Sequence, residues 1–247
     1  MTSERKNYDV VVVGAGNAAL TAALAAASEG AKVAILEKAP EHLRGGNSYF
    51  TGGLFRFAYN GIEDISELLP AITSDEKENI DVGSYKESEF YSDVMRVTEG
   101  LSDPSLLQTL TSKSFPTMLW MKDQGVPWIL AYGRQAFEHE GKQRFWGWLI
   151  VEAVGGGKGL SDRLFELVER NEIEVFYQTS GTKLSVNQSG SVDGITVKSE
   201  SGYEDISCKS VVLACGGFEA NSEMRTRYLG PGWELAKARG TQYNTGD

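Results

Sequence analysis

Gly14, Gly16 and Ala19 form a G-x-G-x-x-A pattern, and a carboxylate, Glu37, stands about 20 residues beyond Gly16. That spacing suits a dinucleotide. The first glycine turns the chain tightly, the second lets the main chain approach a pyrophosphate with no Cβ in the way, and the small alanine permits close helix–strand packing. N–H groups at the start of a helix opening at Asn17 and Ala18 are unpaired and point at the phosphates, where the helix dipole favours negative charge. A carboxylate at Glu37 accepts hydrogen bonds from ribose hydroxyls and repels a 2′-phosphate. The pattern does not separate FAD from NAD, because both carry an adenosine and a pyrophosphate, and glycine-rich turns also arise for purely structural reasons.

Three further segments carry chemistry. Gly45-Gly46-Asn47-Ser48-Tyr49-Phe50-Thr51-Gly52-Gly53 has glycines at both ends and amide or hydroxyl side chains between them. It can bring backbone N–H groups to a phosphate and to the edge of a flat ring, or it is an ordinary surface loop. Val211 to Phe218 runs through Ala214, Cys215, Gly216 and Gly217, an apolar strand ending in two glycines. The chain closes with Arg239-Gly240-Thr241-Gln242-Tyr243-Asn244-Thr245-Gly246-Asp247.

The elements that must position these groups follow from periodicity. Tyr8 to Val13 is a valine-rich run expected to be a strand buried on both faces, Leu20 to Glu29 an alanine-rich helix ended by Gly30, and Lys32 to Leu36 a second buried strand. Together they make a right-handed β-α-β unit. Helices are expected over Ile65 to Leu69, Glu87 to Gly100 and Ser105 to Gln124, with Pro116 kinking or splitting the third. Phe115, Leu119, Trp120, Trp128, Phe145, Trp146 and Trp148 read as the aromatic core of that helical layer. Gly155 to Gly159 leads into a helix over Leu160 to Arg170, followed by a strand at Glu174 to Tyr177. Lys183 to Asn187, Val192 to Lys198 and Tyr203 to Lys209 alternate as a β-meander, and Ser210 to Ala214 is again a buried strand.

Composition agrees with a soluble globular protein: of 247 residues, 41% are apolar and 23% charged. The net charge of −10 argues against nucleic acid or an anionic lipid surface as a partner. Cys208 and Cys215, with no second Cys or His pair nearby, suggest neither a metal site nor a secreted disulfide framework, so the expected location is cytoplasmic. The uncharged stretch from Val10 to Ser28 is broken by Gly14, Gly16 and Asn17 and is mostly alanine in its second half. It is not read as a membrane span or signal peptide.

Taken jointly, the G-A-G start, Glu37-Lys38, the G-G-N-S-x-x-T-G-G loop, the A-C-G-G-F strand end and the R-G-T-x-x-N-T-G-D ending resemble the flavoprotein family of fumarate reductase, succinate dehydrogenase and 3-ketosteroid dehydrogenase. The loop and the ending are most similar to its tricarballylate dehydrogenase branch. The resemblance covers both ends of the chain and little of the aromatic middle. It implies a Rossmann-like α/β fold with a parallel central sheet, and an FAD whose pyrophosphate lies over Gly14, Gly16 and Gly46 and whose ribose meets Glu37, beside Lys38 and Gly45. The isoalloxazine would lie against Asn47, Ser48, Thr51, Gly52 and Gly53. Ala214, Gly216 and Gly217 correspond to the family's glycine-ended strand, Thr245, Gly246 and Asp247 to its T-G-D turn, and Gly181 to a position bordering the adenine.

Positions 45 to 53 contain no histidine, so the implied FAD is non-covalent and His42 is a surface residue. Cys215, where relatives have a hydroxyl residue, is expected to be a small buried core residue. In relatives the T-G-D turn precedes most of a substrate-capping domain that holds the catalytic arginine. Residues 1–247 are therefore expected to be an incomplete FAD-binding domain, an N-terminal fragment with a helical insertion at about 62–150, its capping domain largely absent and its catalytic residues unknown. Arg56, Arg134 and Arg239 are taken as surface or ion-pairing residues. The activity implied is hydride transfer between the flavin and a carbon beside a carboxylate or ketone in a small polycarboxylic acid, with room for an electron-transfer partner. A ketosteroid-type dehydrogenase and a nucleotide-binding module without catalysis remain alternatives.

Overall fold

The structure is a computed structural model and describes residues 6–246. Asp247, the last residue of the T-G-D turn, lies outside the described residues. The chain forms two compact units, Met1–Thr51 with Gly157–Asp247, and Gly52–Gly156.

The first unit is built on a six-stranded sheet. β1 (Asn7–Val13), α1 (Asn17–Ser28) and β2 (Val33–Leu36) open it. α2 (Gly156–Arg170), β3 (Glu174–Phe176), β4 (Ser180–Val186), β5 (Val192–Ser199), β6 (Gly202–Leu213) and α3 (Ser222–Leu229) complete it. The strand order is β4-β5-β6-β1-β2-β3. β1 runs parallel to both β2 and β6, with Val13 opposite Leu36 on one side and Leu213 on the other, and β2 runs parallel to β3. Parallel pairing demands a crossover, which α1 supplies with Ala19, Leu20, Ala23 and Leu24 buried. Its alanines cost little side-chain entropy and let the helix lie close to the strands. β4, β5 and β6 are antiparallel, and one face of the sheet packs Tyr8, Val11, Leu36, Ile195, Ile206 and Cys208 into a single core. This is the Rossmann-like α/β fold the sequence implies.

Several expectations need correction. Tyr203 to Lys209 and Ser210 to Ala214 are one strand, not two, because β6 pairs antiparallel with β5 through its first half and parallel with β1 through its second. Lys209, the last residue of the expected meander strand, lies inside β6 and directs its ammonium to Asp9 at 2.7 Å. Nor is the end of that strand buried: Leu213 is 67% exposed, since apolar composition reports a preference and the described residues leave that face open. α1 opens at Asn17, where the helix donors were expected, and α2 begins earlier than expected, at Gly156.

In the second unit, Leu54–Phe55, Val151–Ala153 and Trp128–Leu130 form one three-stranded sheet, and Ile80–Asp81, Lys142–Phe145 and Ala136–His139 another. Helices Ile62–Leu68, Ser74–Asn79, Glu87–Val97 and Pro104–Asp123 accompany them. The stretch read as helical is thus mixed, its strands too short to show a period. Pro104–Asp123 is one helix, not split by Pro116, because that proline is exposed and forfeits one internal hydrogen bond on a solvent-facing side. The aromatic core is Phe57, Tyr59 and Tyr85, with Trp128 and Phe145 buried, while Trp146 is 62% exposed. No helix among the described residues is long and apolar enough to cross a membrane.

Candidate functional site

A cavity opens in the first unit at the carboxyl ends of β1, β2 and β6, where a doubly wound sheet binds its ligands. Gly14, at φ +107, makes the turn out of β1. Its N–H donates to the Leu36 carbonyl at 2.7 Å, and a Cβ there would overlap the carbonyl of Ala214. The end of β6 therefore closes on this turn because residue 14 lacks a side chain. Gly16 follows as the N-cap of α1, with no side-chain cap and no acid in the first turn, so the positive end of the helix is left for an anion.

One helix donor is taken, contrary to expectation: the Asn17 N–H donates to Ser48 Oγ at 2.9 Å. That bond draws the loop after β2 across the helix start. Gly45 and Gly46 turn this loop at φ +98 and +55. A Cβ on Gly45 would press on Ser161 Oγ and Tyr49 Cβ at 3.3 and 3.4 Å. Gly157, at the start of α2, lets the loop settle there, because a Cβ on it would overlap the carbonyls of Ser48 and Thr51.

Glu37 ends β2 and is only 7% exposed, yet it lines the cavity. Burial pushes its carboxyl above the usual carboxylate range, opposed by main-chain N–H groups of Ala39, Ala15 and Lys38 and by the Lys38 charge. The Ala39 N–H donates to Oε1 at 2.7 Å. Next to it Lys38 Nζ donates to Thr245 Oγ1 at 2.5 Å, tying the end of β2 to the T-G-D turn.

Of the residues marked in the sequence, Gly14, Gly16, Asn17, Ala18, Glu37, Lys38, Gly46, Asn47, Ser48, Gly181, Ala214, Gly216, Thr245 and Gly246 all line this cavity. Gly45, Thr51 and Gly217 belong to the same unit without lining it, and Gly52 and Gly53 belong to the second unit. Asp247 lies outside the described residues. Gly181 also serves packing, since a Cβ would meet Ile195 Cδ1 at 2.9 Å. Sequence reasoning missed Thr179, Ser180, Thr241, Tyr243 and Asn244 as lining residues. It also misplaced Cys215, which is exposed and lines the cavity instead of entering the core.

A protein-family model described as an FAD binding domain matches residues 9–247. The chain belongs to this FAD binding domain family. It is similar to the vinyl phenol reductase of Lactiplantibacillus plantarum, with 29% identity covering 99% of this chain and 48% of the relative. It is also similar to the cytochrome-type fumarate reductase of Shewanella frigidimarina, with 28% identity over 87% of this chain and 34% of the relative. Among solved structures, the open conformation of a flavocytochrome c3 fumarate reductase superposes with a TM-score of 0.70 at 27% identity, covering 98% of this chain and 39% of that one. The chain thus spans between a third and a half of these relatives.

The FAD binding domain has a lining that fits its cofactor. The Gly14-Gly16 turn and the positive end of α1 suit a pyrophosphate, and the buried Glu37 carboxylate suits ribose hydroxyls. Two buried acceptors, Asn17 Oδ1 and Asn244 Oδ1, have no hydrogen-bond partner among the described residues, as expected where a ligand brings donors. His42 is exposed and does not line the cavity.

Proposed function

We propose that this FAD binding domain serves an oxidoreductase that moves a hydride to or from a carbon beside a carboxylate, in a small polycarboxylic acid such as tricarballylate or fumarate and succinate. One observation supports the cofactor half above all: Glu37 and the Gly14–Gly16 turn line one cavity with the Gly46–Ser48 loop and the Thr245–Gly246 turn. The substrate half is supported by the similarity to fumarate reductase of Shewanella frigidimarina.

Bound flavin supplies hydride acceptance and donation at N5. The chain's own residues bind and orient it. The main chain at Gly14 and Gly16 and the α1 terminus hold the diphosphate, and Glu37 holds the ribose. Gly46, Asn47 and Ser48 supply the ring side, with Gly216, Thr245 and Gly246 completing the enclosure. Attachment is non-covalent, because the loop offers no histidine.

The test uses the full-length protein under anaerobic conditions. Tricarballylate or succinate is expected to bleach the oxidised flavin, or fumarate to restore the colour of the reduced flavin. A flavin that responds to a 3-ketosteroid and to no polycarboxylate overturns the substrate class.

A further inference from the structure

Two asparagines that line the cavity come from distant parts of the chain, Asn47 from the loop after β2 and Asn244 from the turn before Thr245. Both direct Nδ2 at the same atom, Glu219 Oε2, at 3.4 and 2.5 Å. Glu219 is exposed and is not itself a lining residue. An ionised carboxylate can only accept hydrogen bonds, so it dictates which end of each amide faces it. The NH2 ends must turn to Glu219 and the oxygens must turn away.

For Asn47 the consequence is satisfied within the chain, because its Oδ1 accepts the Thr241 N–H at 3.0 Å. For Asn244 it is not. That residue is 7% exposed, and its Oδ1 has no hydrogen-bond partner among the described residues. Its amide is also confined: Gly216 stands against it at φ +77, so close that a Cβ would lie 3.3 Å from both amide heteroatoms. A buried acceptor without a donor, on a residue that lines the cavity, is an unfilled half of a hydrogen bond.

The support for Glu219 is itself built. Arg225 donates to the Glu219 carbonyl and, at 3.0 Å each, to those of Trp233 and Ala236. The Ala220 N–H donates to the Asn244 carbonyl at 2.9 Å, and Asn221 Nδ2 to that of Thr245 at 3.0 Å. Gly217 makes room for the carboxylate, since a Cβ there would lie 2.9 Å from Oε1.

We propose that Glu219 is a positioning residue that fixes the polarity of the Asn244 amide, so that Oδ1 accepts a hydrogen bond from a hydroxyl or ring N–H of the cofactor. The proposal rests on the FAD reading given above. It assigns a task to a side chain that the glycine-ended strand and the T-G-D turn do not explain.

FAD is titrated into the apo forms of the wild type, Glu219→Gln, Glu219→Lys and Asn244→Leu, with quenching of flavin fluorescence as the readout and the thermal midpoint of each apo form as the control. Glutamine keeps an acceptor at the same reach, so its affinity stays within about 3-fold of wild type. Lysine replaces the acceptor with a donor, turns the amide over and presents Nδ2 to the ligand donor. With the apo midpoint unchanged, binding weakens by about 10-fold or more, and Asn244→Leu weakens it to a similar degree. Wild-type affinity in Glu219→Lys or in Asn244→Leu overturns the proposal alone. A wild type that binds no FAD overturns the cofactor reading and this proposal with it.

Discussion

Ser48 Oγ accepts the Asn17 N–H at 2.9 Å and so joins the loop after β2 to the first turn of α1. Two segments identified separately in the sequence are one structure at this bond. Ser48→Ala leaves that N–H without its acceptor. Urea denaturation of the apo chain is expected to show a loss of about 0.5–1.5 kcal/mol. An unchanged midpoint would mean that the loop is held by other contacts.

Gly14 and Gly30 both have positive φ, at +107 and +80, but only Gly14 is crowded: a Cβ on Gly30 would meet nothing within 4 Å. Gly30→Ala carries backbone strain alone and is expected to cost about 1 kcal/mol. Gly14→Ala adds overlap with the Ala214 carbonyl and is expected to cost more than about 2 kcal/mol, with loss of FAD binding. Equal costs in denaturant titrations would show that the end of β6 does not close on the Gly14 turn as described.

The buried Glu37 carboxyl has a folded-state pKa above its unfolded value. The folded chain therefore holds this proton more tightly than the unfolded chain, and stability from this group falls as pH rises from the usual carboxylate range through the folded pKa. Glu37→Gln removes the titration. The stability of Glu37→Gln relative to wild type, measured without cofactor, is expected to increase as pH is raised across that window. A gap independent of pH contradicts the burial of a charged acid at this site.

Cys215 is exposed on the cavity wall, whereas Cys208 is buried in the sheet, where burial raises its thiol pKa. Iodoacetamide is expected to alkylate Cys215 at least about 10-fold faster than Cys208, as peptide mass spectrometry would show. FAD is expected to slow the Cys215 reaction. Alkylation of Cys215 unaffected by FAD would place the cofactor away from this wall.

Much of the cavity was legible because its signals are local. Gly14, Gly16 and Glu37 lie within one β-α-β unit, and strand period, helix period and turn chemistry agree there. The Asn47–Glu219–Asn244 cluster was not legible, since its members are brought together only by the folded sheet. The exposure of Cys215 and Leu213 was misread because an apolar run signals a wish for burial without showing what lies opposite. The short strands at Leu54–Phe55 and Ile80–Asp81 are below the length at which alternation can be seen.

The most direct measurement is reconstitution of the apo chain with FAD, followed by gel filtration and an absorption spectrum, for wild type and Glu37→Arg. Wild type is expected to retain flavin that is released on denaturation, while Glu37→Arg elutes colourless because a cation has replaced the ribose acceptor. A colourless wild type, or a Glu37→Arg chain that holds flavin equally well, would contradict the assignment of this cavity to FAD.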